Sequence, residues 1–98
     1  KKIKYPMLAD PTKNVTKSYN VYIPQEGLAL RGSFIIDPDG ILKAYEVHDN
    51  SIGRSAKELL RKLKAAQFVK EHGGEVCPAS WEPGKATLKP GLNLVGKI

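Results

Sequence analysis

A chain of 98 residues is long enough for one small domain, and its 41% hydrophobic content is ordinary for a globular protein. The net charge of +6, from 16 Lys and Arg against 10 Asp and Glu, is spread along the chain rather than gathered into a nucleic-acid-binding stripe. No apolar run approaches the ~20 residues that span a bilayer, so neither a nucleic acid nor a membrane is expected as a partner.

The opening, Lys1-Lys2-Ile3-Lys4-Tyr5-Pro6, has no apolar stretch like a signal peptide's. It begins with Lys rather than Met, as a processed or truncated chain would, and a cytoplasmic setting is the simplest expectation. Residues 2–8 alternate as a short strand does, but Pro6 restricts them to an edge or irregular segment. Asp10-Pro11 then reads as a helix start, with Asp10 as N-cap and Pro11 at the first helical position. This short helix is expected over residues 11–19, with Val15 and Tyr19 on one face. Residues 22–27, broken by Pro24 and Gly27, read as a loop.

The strongest structural signal follows. Ser33-Phe34-Ile35-Ile36 and the β-prone run 41–47 flank Asp37-Pro38-Asp39-Gly40. Asp first, Pro second and Gly fourth is what a type I turn prefers, so a β-hairpin is expected. After a loop at 49–53, Ser55 and Glu58 form a capping box. Leu59, Leu63 and Ala66 then recur at helical spacing, while Lys57, Arg61, Lys62 and Lys64 fall mostly elsewhere. An amphipathic helix is expected over 55–72, with its basic side chains on a solvated face and Gly73-Gly74 ending it. Residues 75–98 show neither period and carry Pro78, Pro83 and Pro90. They read as an extended tail laid over the domain or over a neighbour.

Three sets of residues are candidates for chemistry. Cys77, the single cysteine, cannot form an internal disulfide and is free, metal-bound or paired with another chain. A lone cysteine is most often a small buried hydrophobe, but this one lies between a helix end and a Pro-Gly-rich tail. A surface thiol that can travel suits disulfide exchange. Arg31, at the start of an apolar strand, is either solvent-facing or a fixed guanidinium that stabilises a thiolate or binds a polar oxygen substrate. Arg54, just before a helix N-cap, has the same two readings. His48, His72 and Cys77 meet no zinc spacing. A His72–Cys77 hydrolytic pair would lack a third group. Trp81 and the tyrosines read as packing anchors.

Four segments carry a resemblance. The run His72-Gly73-Gly74-Glu75-Val76-Cys77-Pro78-Ala79-Ser80-Trp81-Glu82-Pro83-Gly84 resembles the resolving-cysteine segment of typical 2-Cys peroxiredoxins. Leu30-Arg31-Gly32-Ser33-Phe34-Ile35-Ile36-Asp37 resembles that family's arginine-bearing strand, and Ile52-Gly53-Arg54-Ser55 its second arginine segment. The ending Asn93-Leu94-Val95-Gly96-Lys97-Ile98 is similar to the bacterial branch, the peroxidase subunits of alkyl hydroperoxide reductases. Order and spacing match over nearly the whole chain.

The resemblance implies an α/β chain forming the C-terminal part of a thioredoxin-like fold: helix, β-hairpin, amphipathic helix and extended C-terminal tail. Residues 1–74 would be the C-terminal portion of the peroxiredoxin core and residues 75–98 the tail. It implies an antioxidant peroxidase that reduces hydrogen peroxide and alkyl hydroperoxides with thiols and needs no cofactor or metal. Cys77 would be the resolving cysteine and would form an intersubunit disulfide in a homodimer or higher ring. Arg31 would stabilise the peroxidatic thiolate and the peroxide, with Arg54 supporting it. A flavoprotein disulfide reductase or thioredoxin would reopen the disulfide.

The family's peroxidatic Pro-x-x-x-Thr-x-x-Cys motif is not among these residues, so the 98-residue chain alone is expected to be inactive. Gly73 stands where relatives often have Pro, and the Tyr-Phe element of the eukaryotic branch is absent. The rival expectation is a non-enzymatic small basic domain that dimerises through Cys77 and binds an acidic partner.

Overall fold

The computed structural model describes residues 2–92, so Lys1 and the 93–98 ending used in the resemblance lie outside the described residues. The described chain orders itself as α1 (Asn14–Ser18), β1 (Tyr22–Ile23), β2 (Leu28–Ala29), β3 (Arg31–Ile36), β4 (Leu42–His48) and α2 (Ala56–Glu71). β1 pairs antiparallel with β2, and β3 with β4, as two separate two-stranded sheets. The residues divide into two compact units. One holds α1, the β1–β2 ribbon and the 47–53 turn; the other holds residues 33–46 and, among the described residues, 54–92.

In the first unit, residues 2–8 form no strand, and Ile3, Tyr5, Met7 and Leu8 are exposed. α1 is shorter than its sequence suggests and begins three residues after Pro11. The reason is local. Asp10 and Lys13 both take left-handed backbone, at φ 47 and φ 62, which interrupts any right-handed run through Pro11. Asp10 still caps the helix, but from further away. Its carboxylate accepts from the Val15 and Thr16 amides (3.1 and 2.9 Å) and from the Thr16 hydroxyl (2.6 Å). Those donors, the Thr16 hydroxyl foremost, hold the Asp10 carboxyl below the usual carboxylate range. The 22–27 segment, expected as a loop, contributes β1, because the turn through Gly27 at φ 67 returns the chain to pair Tyr22 with Ala29. Val21 is the buried residue of this unit.

In the second unit the expected hairpin forms. The Asp37 amide donates to the Ile41 carbonyl (2.9 Å), and the Gly40 amide to the Asp37 carbonyl (2.9 Å). Asp37 Oδ1 also accepts from the Asp39 and Ile41 amides (2.9 and 3.0 Å), so one side chain organises the whole turn. Gly40 sits at φ 83, backbone that an L side chain rarely adopts. Phe34 and Tyr45 stack at 5.8 Å with planes 8° apart.

α2 starts where the capping signal puts it: Ser55 Oγ accepts from the Glu58 amide at 3.1 Å. The Glu58 carboxylate receives the Arg61 guanidinium. Leu59 lines a crevice with Ile35 and Ala44, and Leu63 and Ala66 line one with Ile35 and Ile36, so this stripe of α2 lies on the hairpin. Lys62 pairs with Glu46 at 3.4 Å, and Lys70 with Asp39 at 2.9 Å.

The helix ends at His72, with Gly74 at φ 86 turning the chain into the tail. There the chain is irregular but not loose. Trp81 is 2% exposed, and its ring lies 5.2 Å from that of Phe68 on α2. Burying a side chain of this size contributes roughly 2–3 kcal/mol of transfer free energy. With Ile35 it forms the buried core of this unit.

Candidate functional site around Cys77

Cys77 follows the helix-ending turn by three residues and is half-buried, with a free thiol. It lines a groove of about 570 Å³ between the hairpin turn, α2 and the tail, all within the second unit. The apolar walls are Ile41, Ala44, Ala65, Ala66, Val69 and Val76. Charged side chains rim it: Asp37, Asp39 and Lys43 from the hairpin, Arg61, Lys62 and Lys70 from α2, and Glu75 from the tail. Burial pushes the Cys77 thiol above the ordinary range, the Arg61 charge pulls it down, and Glu75 adds a further upward push. In the groove, burial therefore favours the thiol over the thiolate.

The two predicted arginines are both oriented by hydrogen bonds. Arg31, exposed at the start of β3, donates from Nε to the Asn50 carbonyl at 2.8 Å within the first unit. Arg54 belongs to the second unit, where Nη1 donates to Ser33 Oγ at 3.0 Å. Arg54 and Cys77 thus share a unit, but Arg54 is not among the residues lining the Cys77 groove. Asp49 organises the turn that precedes Arg54 by accepting from the Ser51 amide (2.9 Å) and the Ser51 hydroxyl. His72 stacks on Phe68 at 4.1 Å, and its Nδ1 lies 3.0 Å from the Phe68 carbonyl, a packing arrangement rather than a catalytic pair. Among the described residues no group of three His, Cys, Asp or Glu is placed to hold a metal. No helix there is long and apolar enough to cross a membrane.

The residue that sequence reading missed is Arg61. It was expected on a solvated face, yet its side chain is 18% exposed. Nε and Nη2 fork onto the Glu58 carboxylate (2.9 and 2.7 Å), while Nη1 donates to the Trp81 carbonyl at 3.1 Å. The Glu58–Arg61 spacing of three was the available signal, because such pairs meet on a helix surface. What it could not reveal is that the tail returns to take the third donor.

Comparison with known proteins places this geometry. Residues 1–45 match the model of the AhpC/TSA family, and residues 65–93 match that of the C-terminal domain of 1-Cys peroxiredoxin. The chain is 54% identical over 97 residues to alkyl hydroperoxide reductase C of Pseudomonas aeruginosa, covering 99% of this chain and 52% of the relative. Among solved structures it resembles reduced Plasmodium vivax 2-Cys peroxiredoxin at TM-score 0.79 and 41% identity, over 88% of this chain and 44% of that one. It also resembles Enterococcus faecalis AhpC at TM-score 0.72 and 54% identity, over 78% of this chain and 46% of that one. The chain therefore spans about half the length of the curated relatives it matches. Two family models, a curated relative and solved structures thus agree that the chain is similar to peroxiredoxins of the AhpC/TSA type, and its helix, hairpin, helix and tail are the C-terminal part of the thioredoxin-like fold.

Proposed function

We propose that this chain supplies the resolving half of a thiol peroxidase cycle that reduces hydrogen peroxide and alkyl hydroperoxides. The observation that carries this reading is the similarity to alkyl hydroperoxide reductase C over 99% of the chain, with Cys77 as the one thiol in it. A peroxidatic thiolate contributed by another segment or subunit attacks the peroxide O–O bond. That sulfur becomes a sulfenic acid, and the peroxide leaves as water or an alcohol after taking up a proton. Cys77 then attacks the sulfenic sulfur: an S–S bond forms, the S–O bond breaks, and hydroxide leaves as water with the thiol proton. A dithiol reductase, either a flavoprotein or thioredoxin, returns the two electrons.

In this reading residues 75–98 are the resolving tail and residues 1–74 the core portion that presents the pocket arginines. Arg31 stabilises the peroxidatic thiolate and polarises the peroxide, and Arg54 supports it; what supports this reading is that each guanidinium is held by a hydrogen bond, Arg31 to the Asn50 carbonyl and Arg54 to Ser33 Oγ. The disulfide joins two subunits of a homodimer or larger ring. A reducing cytoplasm is the compartment in which such a cycle turns over.

The test uses the protein expressed from the reading frame that contains these residues. One equivalent of hydrogen peroxide is expected to give a disulfide-linked dimer on a non-reducing gel. In Cys77→Ser the dimer is lost, dimedone labels a persistent sulfenic acid, and turnover with dithiol reductant falls at least tenfold. A Cys77→Ser protein that cycles at the original rate sinks the assignment. The 98-residue chain by itself is expected to consume peroxide no faster than a free thiol.

A further inference from the structure

The tail closes on itself. Val76 and Leu88 exchange backbone hydrogen bonds (2.6 and 2.8 Å), and the Thr87 hydroxyl donates to Glu75 Oε1 at 2.7 Å. These bonds form a neck, and residues 76–88 are the loop it encloses. Inside the loop, the Trp81 amide donates to the Pro78 carbonyl (2.9 Å), and the indole N–H donates to the Lys85 carbonyl (3.1 Å). Cys77 stands beside the neck, held in the groove rather than presented to a partner.

Two fastenings keep this loop on α2. One is the buried Trp81 ring beside Phe68. The other is the hydrogen bond from Arg61 Nη1 to the Trp81 carbonyl. Arg61 lines both hollows that flank the loop: the Cys77 groove, and a second of about 440 Å³ shared with Ala79, Ser80 and Glu82. Its guanidinium is preset, because two of its nitrogens are already committed to Glu58 and the third faces the loop. Only a planar fork can serve a carboxylate and a carbonyl together in this way; a lysine ammonium is a point charge on a flexible stem.

We propose that Arg61 is a positioning residue for Cys77: its guanidinium, preset by Glu58, latches the 76–88 loop to α2 through the Trp81 carbonyl and so limits how often Cys77 reaches a partner sulfur. The proposal rests on reading Cys77 as a disulfide-forming thiol. Disulfide exchange requires the attacking sulfur to reach the partner sulfur. A half-buried Cys77 meets that condition only when the loop opens, so the strength of the latch sets the fraction of molecules competent to react.

The experiment is alkylation of the 98-residue chain by iodoacetamide as a function of pH, with Cys77 as the only thiol. The midpoint of the rate profile gives the thiolate fraction, and the rate per thiolate reports how often the loop stands open. Both Arg61→Gln and Arg61→Lys are expected to raise the rate per thiolate on the order of fivefold to tenfold, because neither keeps both partners. Glu58→Gln, which loosens the guanidinium without removing it, is expected to give a smaller rise of about twofold to threefold. Leu59→Ala lies on the hairpin side of α2 and is expected to leave the rate per thiolate unchanged while the helix signal in circular dichroism persists. Wild-type rates in both Arg61 variants overturn the latch, as does an equal rise in Leu59→Ala. If the Arg61 variants fail to fold, Glu58→Gln decides the matter on the same readout. Alkylation involves no peroxide and no second cysteine, so its outcome is separate from the Cys77→Ser turnover test.

Discussion

At the scale of single residues, Cys77 is held as a protonated, half-buried thiol. Burial raises its pKa and outweighs the pull of Arg61. The folded chain therefore binds the thiol proton more tightly than the unfolded chain does. Its contribution to stability is present below the unfolded thiol pKa and is lost as pH rises through the folded value. The alkylation midpoint of the native chain is expected to lie above that of the same chain in urea, where an ordinary thiol titrates near ~8.5. A native midpoint at or below the urea value contradicts burial as the dominant cause. A resolving thiol does not need the low pKa of a peroxide-attacking one, because the sulfenic sulfur it meets is itself a reactive electrophile. The identity and position of Cys77 were legible in the sequence, and so was the family context. Arg61 was not, because a basic residue on a helix reads the same whether water or a returning backbone carbonyl receives its donors.

At the scale of elements, local signals succeeded where one short stretch supplies both partners. The Asp37-Pro38-Asp39-Gly40 turn and the Ser55 cap are of this kind, and both formed as expected. Replacing Ser55 with Ala removes the acceptor of the Glu58 amide and is expected to cost about 1 kcal/mol, read as a lower urea midpoint for loss of helix signal. An unchanged midpoint means that water satisfies that amide equally well. Local signals failed at α1. There the Asp-Pro pair suggested a helix from Pro11, but the Asp10 carboxylate found its donors five and six residues downstream. The β1–β2 ribbon was missed for a related reason. Two-residue strands carry no period, and only the pairing of Tyr22 with Ala29 defines them.

At the scale of the whole molecule, Val21, Ile35 and Trp81 are the buried hydrophobic residues among those described. The hairpin exposes Ile36, Ile41, Leu42, Tyr45 and Val47, with Tyr45 64% exposed. A two-stranded sheet is marginal by itself in water, and an exposed apolar strand invites another chain. The 98-residue chain is therefore expected to self-associate in the micromolar range, seen as a concentration-dependent mass in light scattering. Tyr45→Lys should reduce that association by placing a charge on the exposed strand. A monodisperse monomer across the same range would show that these side chains need no cover.

The sequence by itself determined the elements whose partners lie within a few residues: the hairpin turn, the cap and course of α2, and the Gly-rich exit into the tail. It also carried the resemblance to peroxiredoxins through the segments around Cys77, Arg31 and Arg54. Only the tertiary structure decided that the tail closes between Val76 and Leu88, that Trp81 is its anchor, and that Arg61 ties the Cys77 loop to the helix. The physical reason is one of range. Propensity and capping are set by neighbours along the chain, whereas the Arg61–Trp81 bond joins residues twenty positions apart. Its formation depends on where burial of an indole ring places a backbone carbonyl.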